Sequence, residues 1–450
     1  MTSSDTIAAV ATAPGAGGVG IVRLSGPASL SIAAQIVGRP AASFTPRHAR
    51  FIAFRDGDGR VLDRGLALFF AQPNSFTGED VVELHAHGSP VLLDLLLRRA
   101  LALGARAARP GEFSERAFLN GKIDLAQAEA IADLVASGSE SAARAAMRSL
   151  DGEFSRRVQA LFDAVVRVRA WLEAALDFPE EEIDFLSAPQ LTHDLTALVD
   201  RIDELLRAAQ RGVRLRDGLH VVIVGRPNTG KSSLLNALAR SDRAIVTAIA
   251  GTTRDVLREH LALDGVGLTL VDTAGLRESE DVVEREGIRR ARAELERADV
   301  VLLMTDAPDA EVDDALLADV PRAATVLVVH NKIDLTGEAP RVVRAAGKIH
   351  IYLSAQRGDG VALLASELVR LAGRGEGSEG AFSARTRHVD ALARVAQHAA
   401  ATQAMLRERN AGELAAEELR RAQQALGEIT GEYSSDDLLG AIFSTFCIGK

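Results

Sequence analysis

The segment GRPNTGKS at 225–232 follows the β-branched run Val221, Val222, Ile223 and Val224 and precedes the apolar stretch Leu234–Leu238. That order is strand, phosphate loop, helix. Gly225 and Gly230 let the backbone curl so that successive N–H groups, together with a helix N-terminus, face phosphate oxygens. Lys231 is expected to reach the β- and γ-phosphates, and the Ser232 hydroxyl to bind magnesium. GTTRD (251–255) lies where a first switch belongs. LVDTAG (270–275) ends a strand with Asp272, which can hold the metal through water, and with Gly275, whose N–H can meet the γ-phosphate. NKID (331–334) follows the strand 326–329. A carboxylate at Asp334 can accept hydrogen bonds from the guanine N1–H and exocyclic amine, which adenine cannot supply, so GTP is selected over ATP. SAQ (354–356) ends another strand, where a loop can offer an N–H to the guanine oxygen. The nucleotide contacts expected on these motifs are Asn228, Thr229, Gly230, Lys231, Ser232, Ser233, Asp272, Thr273, Ala274, Gly275, Asn331, Lys332, Asp334, Ser354, Ala355 and Gln356.

Binding and cleavage are separable. In the Ras-type arrangement a glutamine after the DTAG motif orients the attacking water, but here that position is Leu276, which has no polar atom. Two readings stay open from the residues: a slow binding switch, or an enzyme whose water and charge are handled elsewhere.

Other elements must position this pocket. Over 1–120, strand-like runs at 21–26, 64–70 and 81–88 alternate with Gly/Pro punctuation, and an apolar helix follows from Val91 to about Leu103. From Gly121 to Arg211 the chain is Ala-rich with helical periodicity: Leu195, Leu198, Val199, Ile202, Leu205 and Leu206 share one face. That texture is expected to stop at RGVRLRDG (211–218) and to return after AGRGEGSEG (372–380). The economical reading is one helical domain interrupted by an inserted module whose two ends emerge close together; two separate helical domains are the alternative. The expected fold is α/β plus all-α. It comprises an N-terminal α/β domain at 1–120, a discontinuous helical domain at 121–215 and 376–450, and an inserted P-loop (Ras-like) G domain at 216–375.

The net charge of −10 disfavours nonspecific coating of nucleic acid while leaving room for a local basic groove. The lone Cys447 fits a reducing compartment. The opening segment lacks the pattern of a secretory or organelle leader, and no apolar run reaches the roughly 18 residues of a membrane helix. A cytoplasmic location is expected.

Over essentially its whole length the chain resembles the MnmE (TrmE) family of tRNA-modification GTPases. The resemblance rests on ATAPGAGGVGIVRLSG near the start, FTGEDVVELHAHG at 76–88, FLNGKIDLAQAEAIADL at 118–134 and the terminal FCIGK at 446–450, beside the GTPase motifs. It implies that the N-terminal domain binds folate, 5-formyltetrahydrofolate or a related species, and forms a homodimer. It also implies a flavoprotein partner, MnmG (GidA), in a heterotetramer. With that partner the family attaches an aminomethyl or carboxymethylaminomethyl group to carbon five of the wobble uridine of certain tRNAs. By the same resemblance the nucleotide contacts extend over Thr247, Ala248, Ile249, Ala250, Gly251, Thr252 and Thr253, and the G domains pair around a potassium ion in place of an arginine finger. Asn228, Thr247, Ile249 and Thr252 match the potassium positions. Thr253 joins Ser232 as a magnesium ligand, Glu284 matches the residue that orients the water, and Arg254 supports catalysis from the switch. Arg23, Glu83, Lys122 and Lys450 match the folate positions.

The glycines at 15, 17, 18 and 20 look like a dinucleotide fingerprint, but a strand-like run follows them instead of a helix. His85 and His87 alternate as on one strand face, where a structural or pocket-wall role is expected over metal binding. Ala86 and Ser89 stand where the family usually has glycine, and DFPEEEID (177–184) reads as a solvated helix end. Cys447 reads as an inert thiol. Two rivals remain: a ribosome-assembly GTPase acting as a binding switch, and a folate-dependent aminomethyltransferase with a regulatory G domain.

Overall fold

The structure, a computed structural model, describes residues 5–177, 189–241, 244–246, 258–272, 292–306, 320–321, 324–345, 347–372, 381–407, 411–433 and 436–449. It divides into two compact units: Met1–Ala132 with Val158–Ala170 and Ala416–Lys450, and Asp133–Arg157 with Trp171–Ala415.

In the first unit, strands β1 (Ile7–Val10), β2 (Gly17–Ser25), β3 (Arg50–Arg55), β4 (Val61–Phe70), β5 (Val81–Gly88) and β6 (Arg106–Ala107) form one sheet in the order β3-β4-β5-β2-β1-β6. Every pair is antiparallel except β1 with β6. Alternation along the strands decides the faces. Val22, Leu24, Val82, Leu84 and Ala86 turn inward against Ile32, Ile36, Leu93 and Leu96 of the helices Ser29–Val37 and Pro90–Ala102. The residues between them, Arg23, Glu83 and His85, are therefore delivered to the opposite face. Register sets Arg23 opposite Glu83, and Leu66 opposite His85. Strand β2 itself contains Gly17, Gly18 and Gly20, so no helix opens on the early glycines and the dinucleotide reading is excluded. The chain's end belongs to the same unit: Ile442, Phe443 and Phe446 pack on Leu125 and Ala128.

The second unit carries an eight-stranded sheet built of β7 (Leu219–Gly225), β8 (Ala244–Val246), β9 (Arg258–Leu263), β10 (Val266–Asp272), β11 (Val300–Thr305), β12 (Thr325–His330), β13 (Arg341–Ala345) and β14 (Lys348–Tyr352). The order is β13-β14-β12-β11-β7-β10-β9-β8, with β14, β12, β11, β7 and β10 parallel. A strand buried on both faces needs a continuous apolar run. β7 supplies one: Val221 and Ile223 pack toward Leu234, Leu238 and Leu364, while Val222 and Val224 pack with Leu295, Val301 and Leu303. Because β10 and β11 flank β7 on opposite sides, the chain reverses direction across the sheet there, and crevices at such points receive ligands beyond the strands' C-terminal ends.

The helix Pro189–Asp217 buries Leu195, Leu198, Ile202 and Leu205, with Val199 and Leu206 half-buried on the shoulder of the stripe. It runs six residues beyond the expected stop at Arg211. Gly212 does not end it, because the absent side chain permits close packing: a Cβ there would stand 2.5 Å from the Phe382 carbonyl oxygen. Further ties hold this region. Phe154 stacks on Phe382 at 4.7 Å, and the buried Asp133 accepts from Arg216 (2.9 Å) and Arg385 (2.7 Å).

Candidate functional sites

The turn after β7 is shaped by two left-handed residues, Asn228 (φ 65°) and Gly230 (φ 94°), with Thr229 buried between them. Few side chains adopt such a backbone, asparagine being among the tolerated ones. At Gly230 a second constraint acts, since a Cβ would fall 2.3 Å from the Asn331 side-chain nitrogen. The helix Lys231–Ala239 then begins with no side-chain cap and no acidic residue in its first turn. Its N-terminal N–H groups and the positive end of its dipole are thus left for an anion. Lys231 Nζ donates to the carbonyls of Gly225 (3.0 Å) and Arg226 (3.2 Å), holding the ammonium over the loop. Ser232 and Ser233 occupy the same first turn.

Asn331 joins this loop to the two beyond it. Its buried amide donates through Nδ2 to the Thr229 carbonyl (2.8 Å) and accepts through Oδ1 from the Ala355 N–H (2.9 Å). The sequence placed Asn331 in the pocket without this bridging role. Ala355 therefore spends its N–H inside the protein, and Gln356 carries the next N–H of the loop. Ser354 is buried, donating its N–H to the Asp359 carbonyl (2.8 Å) and accepting at Oγ from Arg357 (3.2 Å). Lys332, at φ 67°, sends Nζ to Asp306 at 3.3 Å. In the short helix Ile333–Thr336, Asp334 has its Oδ1 fully buried and, among the described residues, without a hydrogen-bond partner. A buried carboxylate oxygen left in this condition is costly unless a donor arrives. The strand ends behind these motifs are braced: the His330 ring stacks on Tyr352 at 4.3 Å and meets His350 at 3.1 Å. A cavity of about 660 Å³ runs from Ser233 and Gln356 along the 231–239 helix.

Of the remaining expected nucleotide positions, Asp272 is described as the last residue of β10. Thr247, Ala248, Ile249, Ala250, Gly251, Thr252, Thr253, Arg254, Thr273, Ala274, Gly275 and Glu284 lie outside the described residues, as does Lys450.

A second cluster stands on the other face of the N-terminal sheet, where Arg23, Glu83 and His85 are largely covered. Arg23 Nε and Nη2 both reach Glu83 Oε1 at 2.9 Å. His85 Nε2 meets the other oxygen of Glu83 at 3.0 Å. Arg23 also donates to the Gly449 carbonyl at 3.2 Å and lies 5.7 Å from the Phe113 ring centroid. The C-terminal segment seats here because Gly449, at φ 95°, fits where a Cβ would approach the Val10 carbonyl to 2.3 Å. The sequence assigned His85 a structural or pocket-wall role and gave Gly449 none; adjacency to Glu83 by two strand residues was the available signal for His85. Lys122 Nζ donates to the Pro73 carbonyl at 2.9 Å and, with Arg47, Leu68, Phe70, Asn74 and Phe76, lines a cavity of about 530 Å³. His87 pairs instead with Asp63 at 2.9 Å. Burial raises the Asp63 carboxyl, but hydrogen bonds from the His87 amide and ring outweigh it and leave it below the usual carboxylate range. Cys447 is exposed.

The strand order, the phosphate loop and the half-buried Asp334 carboxylate beyond β12 define a P-loop GTPase with a Ras-like G domain. A family model described as the MnmE helical domain matches residues 125–447, and one described as the GTP-binding protein TrmE N-terminus matches 6–122. The chain is 58% identical to the tRNA modification GTPase MnmE of Xanthomonas campestris over 454 residues, covering 100% of this chain and 99% of that one. It is 56% identical to that of Methylococcus capsulatus over 446 residues, 99% of each. Among solved structures, the G domain of the T. maritima FeoB iron transporter is 26% identical with a TM-score of 0.26, covering 34% of this chain and 97% of that one. The chain belongs to the MnmE family of tRNA modification GTPases.

Proposed function

We propose that this GTPase couples hydrolysis to modification of the wobble uridine of tRNA, adding an aminomethyl or carboxymethylaminomethyl group at C5. A flavoprotein partner of the MnmG type and a folate one-carbon carrier take part, in the cytoplasm, with the protein acting as a homodimer. The parts are an N-terminal folate-binding domain at 1–120, a helical domain at 121–215 and 376–450, and a G domain at 216–375. The observation that carries the nucleotide reading is the partnerless, buried Oδ1 of Asp334. Two N–H donors of guanine satisfy a carboxylate there, whereas adenine presents none in that pattern.

In this reading Lys231 and the N–H groups of 228–233 hold the phosphates, and Asn331, Lys332 and the 354–356 loop hold the base. Hard oxygen donors suit magnesium at Ser232 and Thr253, and potassium at Asn228, Thr247, Ile249 and Thr252. The uncapped helix start and left-handed loop fit a bound anion with its counter-cations. A monovalent cation supplies positive charge for the developing phosphate charge, Glu284 orients water, and Arg254 supports the switch. In the N-terminal unit, Arg23, Lys122 and Lys450 offer cations for folate carboxylates, and Glu83 an acceptor for pterin N–H groups.

Mixing the purified chain with tRNA, GTP, folate and the flavoprotein should yield the modified nucleoside by mass; GTP turnover without it would count against the assignment. Exchanging potassium for sodium should slow turnover at least about tenfold, the scale of a lost charge-stabilising contact, and Asn228→Ala should remove most of that difference. Equal rates in both salts defeat the ion assignment.

A further inference from the structure

The helix Pro189–Asp217 changes character along its length. Asp200, Asp203 and Glu204 sit on its outer side, but from 205 to 216 it has no acidic residue and four arginines. Arg216 is engaged with Asp133 and Asp217. The other three, Arg207, Arg211 and Arg214, are exposed, and none of them forms an ion pair or side-chain hydrogen bond among the described residues. Their i, i+4, i+7 spacing puts all three on one face, over roughly 10 Å of helix. Arg214 lies in the last turn, where a cation also complements the helix dipole. Arg207 and Arg211 lie outside that turn, so the dipole does not account for them.

Among the described residues none of these three guanidinium groups has taken a carboxylate partner, although the chain, at net charge −10, holds many. Guanidinium forks match phosphate oxygens in pairs. The position also has a consequence. At Gly218 (φ 74°), where a Cβ would stand 2.4 Å from the Gly267 carbonyl oxygen, the helix passes without a linker into β7, whose end starts the phosphate loop. Whatever docks on the stripe sits on the element that feeds the nucleotide site.

We propose that Arg207, Arg211 and Arg214 form a docking strip for the phosphate backbone of the tRNA substrate. The proposal rests on the reading that this chain itself handles tRNA. Its test is equilibrium binding of a fluorescent tRNA transcript to the full-length protein across a series of KCl concentrations. The triple variant Arg207→Gln, Arg211→Gln, Arg214→Gln should bind about 10- to 100-fold more weakly at low salt, and the slope of log Kd against log salt should fall by about 2 to 3, close to one per lost phosphate contact. The triple Arg→Lys variant should keep most of the slope. Arg420→Gln with Arg421→Gln, which removes charge from arginines already paired with Glu417, should change it little. An unfolding midpoint near that of the parent shows that the helix survives substitution. Unchanged affinity and slope in the glutamine triple overturn the strip, including the case in which it serves an acidic protein surface. If the parent protein binds no tRNA, the wider reading fails with it.

Discussion

The two polar clusters are built on opposite principles. On the N-terminal sheet the carboxylate of Glu83 is already neutralised, with one oxygen on Arg23 and the other on His85. In the G domain Asp334 keeps a buried oxygen with no donor among the described residues, while its neighbour Asn331 spends its amide pinning the 228–230 turn to the 354–356 loop. A closed network is stable alone, and a ligand must exchange contacts with it. An open acceptor on a braced frame is poised: the protein has met the desolvation cost in advance, and the ligand collects the whole hydrogen bond. One region therefore separates reading from framing, and the other merges them.

The sharpest way to break this contrast is Asp334→Asn. Losing charge-assisted bonds to two N–H groups should cost about 3–4 kcal/mol of GTP affinity, roughly 10²- to 10³-fold, with a gain for xanthine nucleotide; calorimetric titration with both nucleotides checks it, and retained GTP affinity would refute the open-acceptor reading. Next, Asn331→Ala should weaken GTP by roughly 10- to 100-fold, or about 1–3 kcal/mol, through two unmade hydrogen bonds. It should leave base preference unaltered, because Asn331 frames the site without reading the base. A changed preference in the same titration would merge the two roles.

The N-terminal unit offers a third measurement. Buried Glu112 pairs with Arg106 and the buried Arg116. Burial raises its carboxyl, yet the Arg106 pair, the Arg109 amide and Arg116 hold it below the ordinary value of 4.5. Because the folded group is the stronger acid, its stabilisation is fully present above about pH 4.5 and is lost as pH falls through the depressed value. Glu112→Gln should lower stability at neutral pH by about 1–3 kcal/mol, and the gap from the parent should narrow in acid. Denaturant melts at neutral pH and near pH 4 test this, and a gap that widened in acid would reverse the sign. The smallest effect is expected for Glu83→Gln. The Arg23 pair is mostly buried, its side chains 23% and 16% exposed, but glutamine keeps an acceptor oxygen, so stability should fall by only about 1 kcal/mol while fluorescence titration with 5-formyltetrahydrofolate reports weaker binding. A large loss of stability would show that the closed cluster is structural.

Much of this was legible in the chain. The phosphate loop and the 331–334 and 354–356 motifs were readable because phosphate and guanine recognition demand particular residues at short spacing: glycine where the backbone curls, lysine and serine at a helix start, aspartate one turn beyond a strand. The strands themselves were readable from period-two alternation and from the continuous run 221–224. The extension of the 189–217 helix past Gly212 was not, since a glycine inside a helix gives no local sign of the Phe382 carbonyl that requires it. Nor was the seat of Gly449 beside Val10, set by contacts more than four hundred residues apart in sequence.

Sequence alone therefore determined the chemistry: the residue types, their order and the nucleotide they suit, because those demands act over a few bonds. Tertiary structure decided which groups are satisfied. Whether Asp334 stands open, Glu83 closed and Asn331 bridging depends on where distant strands end and which donors burial brings within 3 Å, and no local pattern encodes that.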